Sequence, residues 1–209
     1  MIKLYARNNS RVALHTIPGH FATSHSHINF YVDLTSLKTR AKEAMEVAGC
    51  LAGDYVNSLV VDTIVCMDGT EVIGAYLAQE FERRRFRTTN LHDTIYVVSP
   101  EYNAYNQIMF RDNSVPAIKG KNVVLLLATT TTGMTIRRSR ECVHYYGGVV
   151  RGISSIFSTV KKVDGIAVHS VFGADDLPGY SAFQKDECPF CKKNIPIDAM
   201  VNGFGYSRL

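Results

Sequence analysis

The stretch NVVLLLATTTTGMTIRRS, from Asn122 to Ser139, decides the fold of this chain. Val123 to Leu127 are consecutive apolar residues, the pattern of a strand buried on both faces in a parallel sheet. Thr129 to Thr132 and then Gly133 read as a tight loop, and a helix is expected from Ile136 onward. A loop of small residues between a strand and a helix N-terminus presents backbone N–H groups and hydroxyls to an anion. The stretch therefore reads as a phosphate cradle. The simpler alternative is a β–α turn in which threonine caps the helix.

Similar segments lie on both sides. LVVDTIVCM (59–67), TIYVVS (94–99), VVRGISSIFS (149–158) and GIAVHSVF (165–172) read as strands. TSLKTRAKEAMEVAGCLAGDYVNSL, from Thr35, reads as a helix, and DGTEVIGAYLAQEFERRRF, from Asp68, as a turn followed by a helix. Strands alternating with helices imply an α/β fold with a parallel, helix-covered sheet. Residues 1–36 show no clear period and read as irregular, with histidines at 15, 20, 25 and 27. Residues 100–120 are also irregular, and long enough to form a lid. Ligands of such sheets bind beyond the carboxyl ends of the strands. The loops Met67-Asp68-Gly69-Thr70 and Thr129–Thr135 are placed there.

The net charge of +4 suits an anionic small ligand. The runs Arg83-Arg84-Arg85 and Arg137-Arg138 are short and read as solvated helix faces, so no nucleic-acid partner is expected. No apolar run approaches the roughly 20 residues that span a bilayer, and MIKLYARNNS has no signal-peptide core. A cytoplasmic protein with no membrane partner is expected. Cys50, Cys66 and Cys142 lie in apolar surroundings and read as reduced core residues.

Cys188-Pro189-Phe190-Cys191 has the spacing that lets two thiolates meet one metal ion. It is half of a zinc site. His20, His25, His27 or His169, or a second CxxC across a dimer, would have to complete it, and the alternative is a pair of reduced cysteines in a turn. Asp175-Asp176, in GADDLPG, reads as a solvated turn. Asp68 is the better placed acid for a ligand.

The order of these segments resembles the type I phosphoribosyltransferases, whose signature is an apolar strand, an acidic pair and a Thr/Gly-rich loop entering a helix. VVLLLATTTTGMT occupies that place, CMDGTEVIGA resembles the family's pyrophosphate loop, and 100–118 falls where the family has a flexible catalytic loop. GHFATSHSHINFYVD (19–33) is similar to the opening segment of the orotate phosphoribosyltransferases. The resemblance implies a single domain over 1–209. Its core, a parallel sheet flanked by helices, spans about 36–172, with a small hood from about 1–35 and 173–209. It implies a 5′-phosphate site at Thr131, Thr132, Gly133, Met134 and Thr135, and a pyrophosphate site at Met67, Asp68, Gly69 and Thr70. Phe21, Ser24, Ser26 and Phe30 would face the base, Mg²⁺ would be the cofactor, and the chain would form a homodimer.

The chain departs from the pattern at Leu127-Ala128, where the family's acidic pair would fall. Those carboxylates hold the ribose hydroxyls of phosphoribosyl pyrophosphate, and leucine and alanine cannot accept such bonds. Hydrogen bonds to charged groups are worth roughly 1.5–3 kcal/mol each. Losing two would weaken binding or rate by on the order of 10² to 10⁴. The lid also lacks the family's lysine, and Arg111 is the cation there that would replace it, with Asp68 as the acidic catalytic group. Two functions follow as expectations. One is orotate-type transfer of phosphoribosyl from its pyrophosphate to a base. The other is a non-catalytic regulator that binds a nucleoside monophosphate or phosphoribosyl compound.

Overall fold

The computed structural model describes residues 1–24, 26–55, 59–83 and 94–209. His25, Arg84-Arg85 and the expected helix ends at 56–58 and 84–86 lie outside the described residues.

The chain opens with β1 (Ile2–Ala6), β2 (Asn9–Ala22) and β3 (His27–Asp33). Helices α1 (Thr35–Thr39) and α2 (Ala41–Ala52) lead to β4 (Thr63–Cys66) and α3 (Glu71–Arg83). β5 (Tyr96–Val98) is followed by a small hairpin of β6 (Glu101–Tyr102) and β7 (Ile108–Met109). Then come β8 (Asn122–Thr130), α4 (Met134–Tyr145), β9 (Val149–Ser158), β10 (Lys162–Val163) and β11 (Ile166–Gly173). The chain ends with β12 (Ala182–Phe183), α5 (Pro189–Lys192), β13 (Ala199–Asn202) and β14 (Gly205–Arg208).

Two sheets organise these elements. The first runs β10-β11-β9-β8-β4-β5, with β5, β4, β8, β9 and β11 parallel and β10 an antiparallel edge. β8 lies between β4 and β9, and its side chains alternate between two buried layers. Val124, Leu126 and Ala128 join the core formed with α2, α3 and the amino-terminal strands. Val123, Leu125 and Leu127 join the opposite core, against Ile136 and Val143 of α4. Burial on both faces is why this strand is continuously apolar. The parallel, helix-covered α/β sheet expected from the sequence is therefore present.

The second sheet, β12-β3-β2-β13-β14 with β1 on β2, joins the two chain ends. The expectation that residues 1–36 are irregular is overturned by β1, β2 and β3. Their two-residue period is broken by a bulge between Pro18 and Phe21, and their inner face packs on helices rather than on another apolar strand. At the bulge the His20 N–H donates to Asp198 Oδ2 at 2.7 Å, and the Asp198 N–H returns a bond to the His20 carbonyl at 2.8 Å. These bonds set β13 parallel to β2 through Ala199–Phe21 and Met200–Ala22.

Two further boundaries differ. Thr129 and Thr130 belong to β8 rather than to the loop, because both pair with β9, and α4 begins at Met134 rather than Ile136. The segment 100–120 contains the β6–β7 hairpin and a short 3₁₀ turn, Val115–Ala117, that serves as an anchor. Ile118, Phe110 and Ala117 are buried, so its second half is part of the body of the molecule.

Candidate functional site

The turn between β8 and α4 is Thr131, Thr132 and Gly133. Gly133 holds the left-handed φ of +74° at the helix N-cap, and a Cβ there would meet Val163 Cγ2 at 2.8 Å. No side chain caps the helix, and the contact from Thr132 Oγ1 to the Met134 N–H is long at 3.4 Å. The first N–H groups of a 12-residue helix therefore face outward beside the half-exposed Thr131 and Thr135 and the exposed Thr132 and Met134. Thr159 fixes the turn, its N–H donating to the Thr130 carbonyl and its hydroxyl to the Thr131 carbonyl, both at 2.9 Å. The Thr130 hydroxyl is buried and has no hydrogen-bond partner among the described residues.

The neighbouring loop leaves β4 at Met67. The Thr70 hydroxyl bonds the Met67 carbonyl at 2.8 Å and the Leu126 carbonyl at 3.1 Å, which ties the loop to β8. Asp68 takes a left-handed φ of 57° and Gly69 one of 76°. Such a conformation costs a non-glycine residue on the order of 1 kcal/mol, and aspartate is among the residues that adopt it most readily. Burial pushes the Asp68 carboxyl above its usual range, opposed by the Lys38 charge and the Ala128 backbone N–H, while Glu71 adds to the rise. The carboxyl thus lies against the end of β8 at Ala128. Leu127 is fully buried on the α4 side and Ala128 is 2% exposed.

Lys38, at the end of α1, was not among the residues singled out from the sequence. It is 7% exposed, and its ammonium donates to the Asp68 carbonyl at 2.8 Å and to the Gly203 carbonyl at 2.5 Å. Desolvation lowers its pKa, opposed by the charges of Asp68, Glu71 and Asp33. Gly203 forms the tip of the β13–β14 hairpin. A Cβ at this residue would meet Asp68 Oδ1 at 2.7 Å, so the hairpin lies directly on the aspartate. Tyr102 of the small hairpin is raised by burial, then by the Asp68 charge, and is lowered by Arg138 of α4. Tyr102 is therefore within electrostatic reach of both the Asp68 loop and α4. Lys38, Tyr102 and Arg138 carry no motif, which is why sequence reading missed them.

Other expected residues have local partners. Arg111 pairs with Glu101 through Nε at 2.8 Å and Nη2 at 2.7 Å and bridges the ends of the small hairpin. Phe21 is buried against Tyr31 and Ala199, and Ser26 is buried against Thr23. Phe30 packs on the main core and Ser24 is exposed. Phe21 and Ser26 are thus part of the packing around β2 and β3 rather than free to meet a base. Asp176 pairs with Arg7 and accepts the Gly173 N–H, as a structural turn does.

A second cluster involves Cys188 and Cys191 at the start of α5. With His20 and His27 they present four metal-ligating atoms that all lie within 4.8 Å of one another. His169 is elsewhere, beside Tyr55 and 3.7 Å from Asp54.

No protein-family model matches the chain. An orotate phosphoribosyltransferase from Caldanaerobacter subterraneus subsp. tengcongensis is 31% identical over 81 residues, 38% of this chain. The match spans 40% of that protein's length. The structure is similar to Mycobacterium tuberculosis orotate phosphoribosyltransferase in complex with 5-phospho-α-D-ribosyl 1-diphosphate, with a TM-score of 0.52. That likeness covers 70% of this chain and 82% of the other, at 16% identity. An adenine phosphoribosyltransferase from Thermoanaerobacter pseudethanolicus gives a TM-score of 0.52 over 69% of this chain and 88% of the other, at 20% identity. The fold is that of the type I phosphoribosyltransferases. Among the described residues, no helix is long and apolar enough to cross a membrane.

Two consequences are measurable. Lys38→Met removes two charge-assisted bonds and leaves two carbonyls without their donor, at a cost on the order of 2 kcal/mol or more. Denaturant unfolding should show that loss, and hydrogen exchange should quicken at 202–205. Asp68→Asn should act in the opposite direction. A carboxyl raised in the folded state binds its proton more tightly there than in the unfolded chain. Its stability contribution is present below the usual value of 3.8 and is lost as pH rises through the elevated value. The asparagine variant should match the parent in acid and be the more stable above that window, as measured by urea midpoints against pH.

Proposed function

We propose that this chain binds a 5-phosphoribosyl compound where β4 and β8 end, and transfers the phosphoribosyl group from its pyrophosphate to a base. The observation that carries this reading is the Asp68 carboxyl beside the Ala128 N–H. It supplies an acid at the end of β8 where neither Leu127 nor Ala128 has one. The uncapped start of α4, with Thr131, Thr132 and Thr135, suits the 5′-phosphate, since N–H groups and hydroxyls are what a phosphate accepts from. The Thr130 hydroxyl, buried and unpartnered, suits a ribose oxygen or a bound water.

The chemistry asks little covalent work of the protein. Breaking the C1–pyrophosphate bond builds positive charge on the ribose, so catalysis rests on orienting the base and stabilising charge. Asp68, ionised, accepts hydrogen bonds from the ribose hydroxyls and faces the developing charge. A single carboxylate together with substrate phosphates is a donor set that fits Mg²⁺, whose role would be to neutralise the pyrophosphate oxygens. The Asp68, Gly69 and Thr70 N–H groups would hold the pyrophosphate. Orotate is the base favoured by the sequence-similar relative, and a homodimer belongs to the same proposal.

A second reading, a non-catalytic binder of nucleoside monophosphates, is favoured by one observation. The cation expected to serve the leaving group, Arg111, is engaged with Glu101, and Lys38 is engaged with two carbonyls. Calorimetric titration separates the readings. Phosphoribosyl pyrophosphate with Mg²⁺ should bind at least tenfold more tightly than ribose 5-phosphate or orotidine monophosphate, and Asp68→Asn should abolish that margin. Turnover with orotate should follow. Binding of monophosphates alone would favour the binder, and binding of none would overturn both.

A further inference from the structure

We propose that His20, His27, Cys188 and Cys191 hold a zinc ion that fastens the carboxyl-terminal segment to the bulge of β2 and the start of β3. The distances carry this first. His20 Nε2 lies 3.0 Å from His27 Nδ1, 3.5 Å from Cys188 Sγ and 3.7 Å from Cys191 Sγ. Cys191 Sγ lies 3.2 Å from His27 Nδ1. Zinc bonds of about 2.05 Å to nitrogen and about 2.3 Å to sulfur, arranged tetrahedrally, require about 3.4 Å between nitrogens and about 3.6 Å between nitrogen and sulfur. These four separations are close to those values, and all four atoms lie within 4.8 Å of one another.

The protonation of His20 carries it further. Its Nδ1 lies 3.0 Å from the Ile195 carbonyl and 3.1 Å from the Pro196 carbonyl. Carbonyl oxygens only accept, so Nδ1 bears the proton and Nε2 presents a lone pair to the cluster. A backbone partner that fixes the tautomer of a ligating histidine is the usual outer support of a metal site. Phe190 stacks on the His20 ring at 5.1 Å with planes 20° apart, which holds its orientation.

Ligand chemistry selects the metal. Two thiolates and two imidazoles suit zinc, and among the described residues no carboxylate joins the set to favour a harder cation. Four protein ligands leave no open position for water or substrate, so the site is structural. Cys188 is fully buried and His20 is 1% exposed. Cys191, by contrast, lies at the surface edge of the cluster.

The site's place in the fold gives it a purpose. No residue of α5 is buried, and the two cysteines meet β2 and β3 through this cluster. Downstream, Asp198 locks onto His20, β13 follows, and the β13–β14 tip reaches Asp68 and Lys38. The ion therefore holds the near end of a strap whose far end covers the Asp68 loop.

Metal analysis of the whole chain, purified reduced and without added chelator, tests this. About one zinc per chain is expected. Replacing it with Co²⁺ should give the intense visible bands of a tetrahedral site and a thiolate-to-cobalt charge-transfer band. Cys188→Ser and His27→Gln should each abolish the charge-transfer band or shift it, whereas His169→Gln should leave it unchanged. Chelation should lower the melting temperature and open 184–209 to proteolysis. These readouts are independent of any nucleotide. Reduced, folded protein that carries no stoichiometric metal and gives no cobalt spectrum would overturn the proposal. So would a Cys188–Cys191 disulfide in freshly purified protein.

Discussion

The ammonium of Lys38 is the contact through which the two parts of this molecule meet at the candidate site. A lysine so deeply buried is tolerated only if its charge is answered by acceptors, and here two backbone carbonyls from distant stretches supply them. One belongs to Asp68 at the end of a core strand, and the other to Gly203 at the tip of the terminal hairpin. The requirement acts in both directions. The ammonium fixes the loop that aims Asp68, and it draws the hairpin down until Gly203 touches the carboxylate. A larger residue at 203 would lift the hairpin off the aspartate.

The end of β8 is apolar on both faces and still has a carboxyl beside it. Leu127 and Ala128 extend the apolar strand by one residue on each face, and each is absorbed into an existing core. The acid in this region arrives instead from the neighbouring loop, in a strained conformation and under partial desolvation. A carboxyl raised by burial is held at a cost, and strain and charge kept at one point by surrounding structure are features of functional sites. The fold alone does not assign a substrate, since orotate and adenine enzymes share it.

The sequence revealed the core and concealed the edges. The run from Val123 to Leu127 could be read because both of its faces are buried, and the glycine after the threonines marked the turn because only that residue fits under Val163. The order of these segments carried the resemblance to the type I phosphoribosyltransferases. The amino-terminal strands escaped notice because the bulge at Pro18–Phe21 shifts their alternation. That bulge also turns His20 toward the cysteines, so histidines without a discernible period acquire a shared position only in three dimensions. Lys38 resembles any solvated helix lysine until the hairpin closes over it. Arg111 was the visible cation of the lid, yet a local partner, Glu101, claims it.

Asp68 is the proposed acid of this site. The most direct measurement is the titration of its carboxyl by carbon-detected NMR, in the free protein and with phosphoribosyl pyrophosphate and Mg²⁺. A pKa above the usual aspartate range is expected in the free chain, falling when the ligand brings hydroxyls and a cation to the carboxylate. An ordinary value that the ligand leaves unmoved would contradict it.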